Sequence, residues 1–319
     1  MVLQSIWHIF PERTKEIFVQ ALQCKDLEEI RLRAGKPAYI VKRGREYFID
    51  SRGCFTNRPE EAKYFTQKEI KDVINQICQY SLYAYEDELR CGYLTIPGGH
   101  RVGITGEVVL GDTQTVKTMK YINGINIRIS HEIKGVADTV LPYIYERKKP
   151  LNTVIISPPG CGKTTLLRDM IRQISDGNNY GEGICVGVVD ERSEIAGAFQ
   201  GCPQNDVGIR TDVLDACPKD IGIMMLIRAM APKMVAIDEL GKEEEWKALF
   251  HAAHCGVGML ASMHGCGPED FDHRCKTYLP QMEGMFRRCI VLRKNNGQCM
   301  VGGIYQWEEG GMWKCICLK

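Results

Sequence analysis

Residues 157–164 read SPPGCGKT, closing the apolar run NTVIIS and opening a segment in which Leu166, Leu167, Met170, Ile171 and Ile174 recur at helical spacing. A buried strand that passes through a glycine-rich loop into a helix commits this part of the chain to an α/β layer. The pattern is that of a phosphate-binding loop, G-x-x-x-x-G-K-[ST], with Ser157 in place of the first glycine. Gly160 and Gly162 permit the backbone turns that aim N–H groups inward, Lys163 supplies a point charge for the β- and γ-phosphates, and Thr164 offers a hydroxyl to Mg²⁺. The helix start adds its own preference for an anion. Candidate contacts to ATP are therefore Ser157, Pro158, Pro159, Gly160, Cys161, Gly162, Lys163, Thr164 and Thr165. Ser157 replaces the glycine farthest from the phosphates, where a small residue at negative φ suffices. The Lys163 amine is expected in solvent when the site is empty.

Downstream, strand and helix patterns alternate. GICVGVVDERSEIAG is a buried strand ending in acids, DIGIMMLIRAMA is a helix, and in KMVAIDELG the apolar residues Met234 to Ile237 end in Asp238 and Glu239. A strand that delivers two adjacent carboxylates suits a P-loop enzyme: Asp238 for the hydrated Mg²⁺, Glu239 to polarise the attacking water. A third strand, GVGMLASMHG, ends in Ser262 and His264, and the histidine reads equally as a γ-phosphate sensor and as a structural residue.

At 319 residues the chain has room for about two domains of roughly 150 residues each. We place a small α+β domain at 1–135 and the P-loop domain at 136–319. In the first, FTQKEIKDVINQI begins with the capping pair Thr66 and Glu69 and carries Ile70, Val73, Ile74 and Ile77 on one stripe, the pattern of a helix. PAYIVKRGREYFI and GYLTIPGGHRVGITGEVV alternate about glycine turns and read as hairpins. ADTVLPYIYERK reads as a short helix leading to the P-loop strand. At the C-terminal end, strands joined by KNNG and EEGG turns extend the central sheet antiparallel.

Net charge is +1, no apolar run approaches the ~18 residues of a membrane span, and charges come too early in the N-terminus for a signal peptide. These features point to the cytoplasm. Fifteen cysteines without a single C-x-x-C, in a chain without a secretion signal, read as reduced thiols. HAAHC at 251–255, with His264 and Cys266, is the best zinc candidate, but its spacing fits no familiar ligand set.

The blocks SPPGCGKTTLLRD, VVDERSEIAG, GIRTDVLDACPK, LIRAMAPKMVAIDELG and ASMHG, with EEIRLRAGKPAYI and GYLTIPGGHRVGITGEV before them, resemble the stage III sporulation protein AA family over nearly the whole chain. That resemblance implies the cytosolic ATPase of the mother cell's channel to the forespore, peripheral at the inner face of the mother-cell membrane. It is similar in turn to the motor ATPases of type II and type IV secretion, with a RecA-like or AAA-like core and a ring, as a hexamer, as the working form. Partners would be membrane-embedded channel components. The resemblance further implies functional acids at Asp190, Glu191 and Glu194, a functional histidine at His264, and arginines from the N-terminal domain reaching the nucleotide, for which Arg101 and Arg128 are the nearest matches. Arg192 and Arg210 compete for that role.

Two other classes stay open. A nucleic-acid motor is disfavoured by the net charge and by the absence of histidine from residues 274–319, which excludes an Arg-x-x-x-His single-strand-binding module there, although Arg31, Arg33, Lys36, Lys42, Arg43 and Arg45 form a basic run. No nucleic-acid partner is expected. A non-hydrolysing nucleotide switch has no need of a water-activating acid, so Asp238 and Glu239 together argue against it.

Overall fold

The computed structural model describes residues 2–111, 115–295 and 298–318, and the chain divides into two compact units, Met1–His131 and Glu132–Lys319. The first begins with helices α1 (Val2–Trp7) and α2 (Glu12–Leu22), continues through strands β1 (Leu27–Arg33), β2 (Tyr39–Lys42), β3 (Arg45–Ile49) and β4 (Phe55–Thr56), then α3 (Gln67–Ile77), α4 (Glu86–Cys91), β5 (Tyr93–Ile96), β6 (His100–Leu110) and β7 (Val116–Arg128). The seven strands form one antiparallel sheet in the order β4-β3-β2-β1-β7-β6-β5. Both hairpins read from the sequence are present. Arg43 and Gly44, at φ 51° and 68°, make the tight turn between β2 and β3. α3 has its capping box, with Thr66 Oγ1 accepting from the Glu69 N–H and the Glu69 carboxylate accepting from the Thr66 N–H. Its Ile70, Val73, Ile74 and Ile77 join Phe18, Phe65, Ile30, Leu32, Ile125 and Ile127 in one core.

The second unit opens with α5 (Leu141–Ile144) and a hairpin of β8 (Tyr145–Glu146) and β9 (Lys149–Pro150). The helix expected over ADTVLPYIYERK is therefore only four residues long. Pro142 lacks the N–H that would extend it upstream, and Arg147 and Lys148, at φ 48° and 65°, take the left-handed turn of a two-residue hairpin instead. The core follows: β10 (Thr153–Ser157), α6 (Lys163–Asp176), a small hairpin of β11 (Gly177–Asn178) and β12 (Gly181–Glu182), β13 (Val186–Asp190), β14 (Thr211–Asp215), α7 (Lys219–Ala229), β15 (Met234–Ile237), α8 (Glu243–His254), β16 (Gly258–His264), α9 (Pro268–Tyr278), β17 (Arg288–Asn295), β18 (Gln298–Glu308) and β19 (Met312–Leu318). Its sheet runs β14-β13-β15-β16-β10-β17-β18-β19, parallel as far as β17 and antiparallel from there, as the C-terminal pattern predicts. Part of the KNNG turn lies outside the described residues.

Every residue of β10, β13 and β15 is buried, as expected of parallel strands covered on both faces. Ile155 faces a core with Leu167, Met170 and Ile171 of α6, while Val154 and Ile156 face one with Leu226, Trp246, Leu249 and Phe271 of α7, α8 and α9. Three layers result. The order also separates the P-loop strand from the Asp238 strand: β16 lies between β10 and β15, so residues ending β16 sit between the P-loop and the acidic pair. All fifteen cysteines are free thiols.

Candidate nucleotide site

Ligands of open parallel sheets bind at the carboxyl ends of the strands, and the motifs of this chain gather there. Gly160 and Gly162 have φ of 69° and 80°. No atom lies within 4 Å of a Cβ added at Gly160, so the left-handed backbone, and not lack of space, selects glycine. Ser157 is fully buried, does not have positive φ, and turns its hydroxyl onto the Pro158 carbonyl at 2.8 Å, so serine fits this position without strain. Gly162 caps α6, and Lys163 and Thr164 are the first residues of that helix.

Lys163 departs from expectation. Its amine is not in solvent: the residue is 8% exposed and Nζ lies 3.0 Å from His264 Nδ1. Burial holds the ammonium below the ordinary lysine range, against the pull of Asp238 and Glu239. The lysine thus stays within the cluster because the last residue of β16 offers it a nitrogen acceptor. His264 Nε2 lies 3.2 Å from Glu239 Oε1, and Glu239 Oε2 lies 3.2 Å from Arg192 Nη1. One continuous chain of contacts therefore runs Lys163, His264, Glu239, Arg192. With Nδ1 accepting from the lysine, the proton on Nε2 is the one given to Glu239.

A second chain fixes the neighbouring acid. Asp238 Oδ2 accepts from the Thr164 hydroxyl at 2.9 Å, and Oδ1 accepts from the Ser262 hydroxyl at 2.5 Å. Ser262 in turn accepts the Glu239 N–H at 3.1 Å through Oγ, and its carbonyl accepts the Leu240 N–H at 2.7 Å. Glu239 has φ 56°, a sparsely populated value for a residue with a side chain, and this clamp holds it there. Ser262 was legible as a polar residue ending a strand. Its grip on the turn was not, because it depends on β16 lying beside β15.

Thr164 and Asp238 present hard oxygen donors side by side, which suits Mg²⁺. No group of three or more His, Cys, Asp or Glu side chains able to hold a metal occurs among the described residues, so HAAHC is no cluster. Mg²⁺ ordinarily takes one or two protein oxygens and completes its shell with water and substrate phosphates, and this pair fits that habit.

The acid-rich segment after β13 behaves differently. Asp190 is 1% exposed and accepts backbone N–H groups from Glu194, Ile195 and Ala196 at 2.8, 2.9 and 2.8 Å. Burial pushes its carboxyl up to about 6 against the pull of these donors. Glu194 lies nearer the cluster, with Oε1 3.7 Å from Arg192 Nε and its carbonyl accepting from Arg168. Arg210 caps the far end of α6, donating to the Ser175 and Asp176 carbonyls at 3.0 and 3.3 Å. It is occupied with helix structure. Arg101 and Arg128 belong to the first unit, where they oppose each other across β6 and β7. Arg101 stacks 3.5 Å from the Tyr93 ring centroid, and Arg128 lies 3.8 Å from Glu29.

With this geometry in place the chain can be compared with others. The sequence profile described as "Sporulation stage III, protein AA" matches residues 3–312. The chain belongs to that family. Stage III sporulation protein AA of Bacillus subtilis (strain 168) is 38% identical over 305 residues, 95% of each chain. Among solved structures, the Legionella pneumophila ATPase DotB superposes with a TM-score of 0.59 at 18% identity, covering 89% of this chain and 78% of that one. The pilus retraction motor PilT with bound ADP gives 0.61 at 14% identity, covering 91% and 81%. At those identities the likeness is one of fold: a P-loop α/β core preceded by a small α+β unit.

Proposed function

We propose that this member of the family binds ATP with Mg²⁺ and hydrolyses it, working as a ring, a hexamer by analogy with secretion motors, on a membrane-embedded channel complex during endospore formation. The observation that carries the reading is the pairing of Thr164 with Asp238 beside the Lys163–His264–Glu239 chain, since a binding-only switch has no use for a carboxylate held at positive φ next to the metal position. Family membership supports the sporulation setting, and the names of the fold neighbours, an ATPase and a pilus motor, support the motor. A cytoplasmic place at the inner face of the mother-cell membrane follows from the same reading. Among the described residues no helix is long and apolar enough to cross a membrane.

Each residue then has a defined task. The backbone N–H groups of 160–163 and the α6 N-terminus cradle the phosphates, joined by the Thr164 and Thr165 end of the helix. Lys163 exchanges His264 Nδ1 for phosphate oxygens. Thr164 and Asp238 would hold Mg²⁺, which would supply charge neutralisation on the phosphates. Glu239 orients or deprotonates the attacking water, while His264, released by Lys163, can turn toward the γ-phosphate. Glu194 is the alternative acid. Arg101 and Arg128 are the candidate cations opposite the transferred phosphoryl group.

The test is steady-state turnover of the assembled ring, with and without lipid, for wild type and Glu239→Gln. The variant should retain ATP and Mg²⁺ binding while losing turnover by about 10²-fold. Equal rates would remove Glu239 from the chemistry and bring Glu194 forward.

A further inference from the structure

One buried cation takes no part in the site as described. Lys219, the first residue of α7, is 6% exposed, an unusual fate for lysine. Helix formation does not explain it, because a cation at a helix N-terminus opposes the macrodipole. Its partners do. Nζ contacts the Glu191 carboxylate and lies 3.4 Å from Glu245 Oε1, and Glu245 is itself 3% exposed. Burial works against the lysine charge, but the two glutamates outweigh it and hold the ammonium above the ordinary range. The other oxygen of Glu245 accepts the backbone N–H groups of Gly241 and Lys242, two and three residues past Glu239, at 2.7 and 3.1 Å.

Glu191 and Arg192 are consecutive, so the loop after β13 reaches Glu239 by two routes. Arg192 touches the Glu239 carboxylate directly, and Glu191 reaches the Glu239 turn from beneath through Lys219 and Glu245. Both loops wall one cleft, bounded by Glu191, Arg192, Glu194, Lys219, Asp238 and Glu239.

Resting on the ATPase reading for its purpose but not for its geometry, we propose that Lys219 is a positioning residue that locks the loop after β13 to the turn after β15, so that the two acid-bearing strand ends shift as one body when the site fills. Removing the lysine leaves Glu245 buried without its counter-charge and beside Glu191, which frees both loops. Removing only the Glu191 charge cuts the link at one end.

Hydrogen exchange on the full chain, read in peptides spanning 190–197 and 238–246, tests this without requiring turnover. Glu191→Gln, altered only at the β13 end, should speed exchange across 239–245 by about tenfold, and Lys219→Met should do so in both segments. Lys219→Arg should restore most of the protection. In assembled protein, with kcat normalised to the folded fraction, Lys219→Met should lower kcat about tenfold with KM for ATP within about threefold. Exchange that rises only in the segment carrying the substitution, or kcat and ATP affinity falling in proportion, overturns the lock. If Lys219→Met does not fold, Glu191→Gln and Lys219→Arg decide it. If the wild-type assembly hydrolyses no ATP, the functional proposal fails while the exchange result still stands or falls by itself.

Discussion

Two neighbouring strands end in nearly the same word. β13 runs out through Val-Val-Asp-Glu at 188–191 and β15 through Ala-Ile-Asp-Glu at 236–239, and the register Val189↔Ile237 makes each aspartate the residue that follows a paired position. Yet Asp190 is sealed against three backbone N–H groups, whereas Asp238 bonds two hydroxyls, one of them from the P-loop helix. Glu191 faces a buried lysine, and Glu239 faces His264 and Arg192. The difference lies in what adjoins each strand. β15 lies beside β16, which lies beside the P-loop strand, while the chain after β13 folds back over its own aspartate. An acid at a strand end becomes a site residue only when the next strand over brings it a partner.

Four outcomes break or sharpen that contrast. The largest is at the P-loop itself: Lys163→Ala should weaken ATP binding by about 10²-fold in a fluorescence titration, because charge-assisted bonds to the phosphates go, and unchanged affinity would leave Asp238 and Glu239 without a substrate. Next, Asp238→Asn should raise the Mg²⁺ concentration needed for tight ATP binding by about tenfold while the melting temperature holds, since that carboxylate serves the metal position. Asp190→Asn should show the reverse. An amide NH₂ facing N–H donors costs about 2 kcal/mol, read as a fall of roughly 4–8 °C in melting temperature, with ATP affinity of the folded protein retained.

The smallest effect is a titration. The Asp190 carboxyl should show a midpoint near 6 by carbon-13 NMR, against 3.8 for the free side chain. The folded chain then keeps a proton that the unfolded chain has lost, so between about pH 4 and pH 6 this group makes stability decline as pH rises. A midpoint at or below 3.8 would mean that its three N–H donors outweigh burial.

Much of this was readable in the sequence because it is local. The P-loop, its flanking strand and helix, the capping box of α3 and the apolar runs of β13, β15 and β16 are all set by residues a few positions apart. What the sequence withheld is non-local. Lys163 bonding His264 needs residues 101 positions apart, Ser262 clamping the Glu239 turn needs a strand inserted between two others, and Lys219 joins Glu191 to Glu245 across 28 and 26 positions. The α5 error had another source. The apolar spacing of ADTVLPYIYERK suits a helix, but Pro142 and the left-handed pair Arg147 and Lys148 overrule it.

The most direct trial of the account is a structure of the assembled protein with Mg²⁺ and a non-hydrolysable ATP analogue. Lys163 should then have left His264, now 3.0 Å away, for the β- and γ-phosphates, with the Thr164 hydroxyl and the Asp238 carboxylate parted around the metal and Asp190 still holding its three N–H groups. A nucleotide bound elsewhere, or Lys163 still on His264 with the analogue in place, would contradict it.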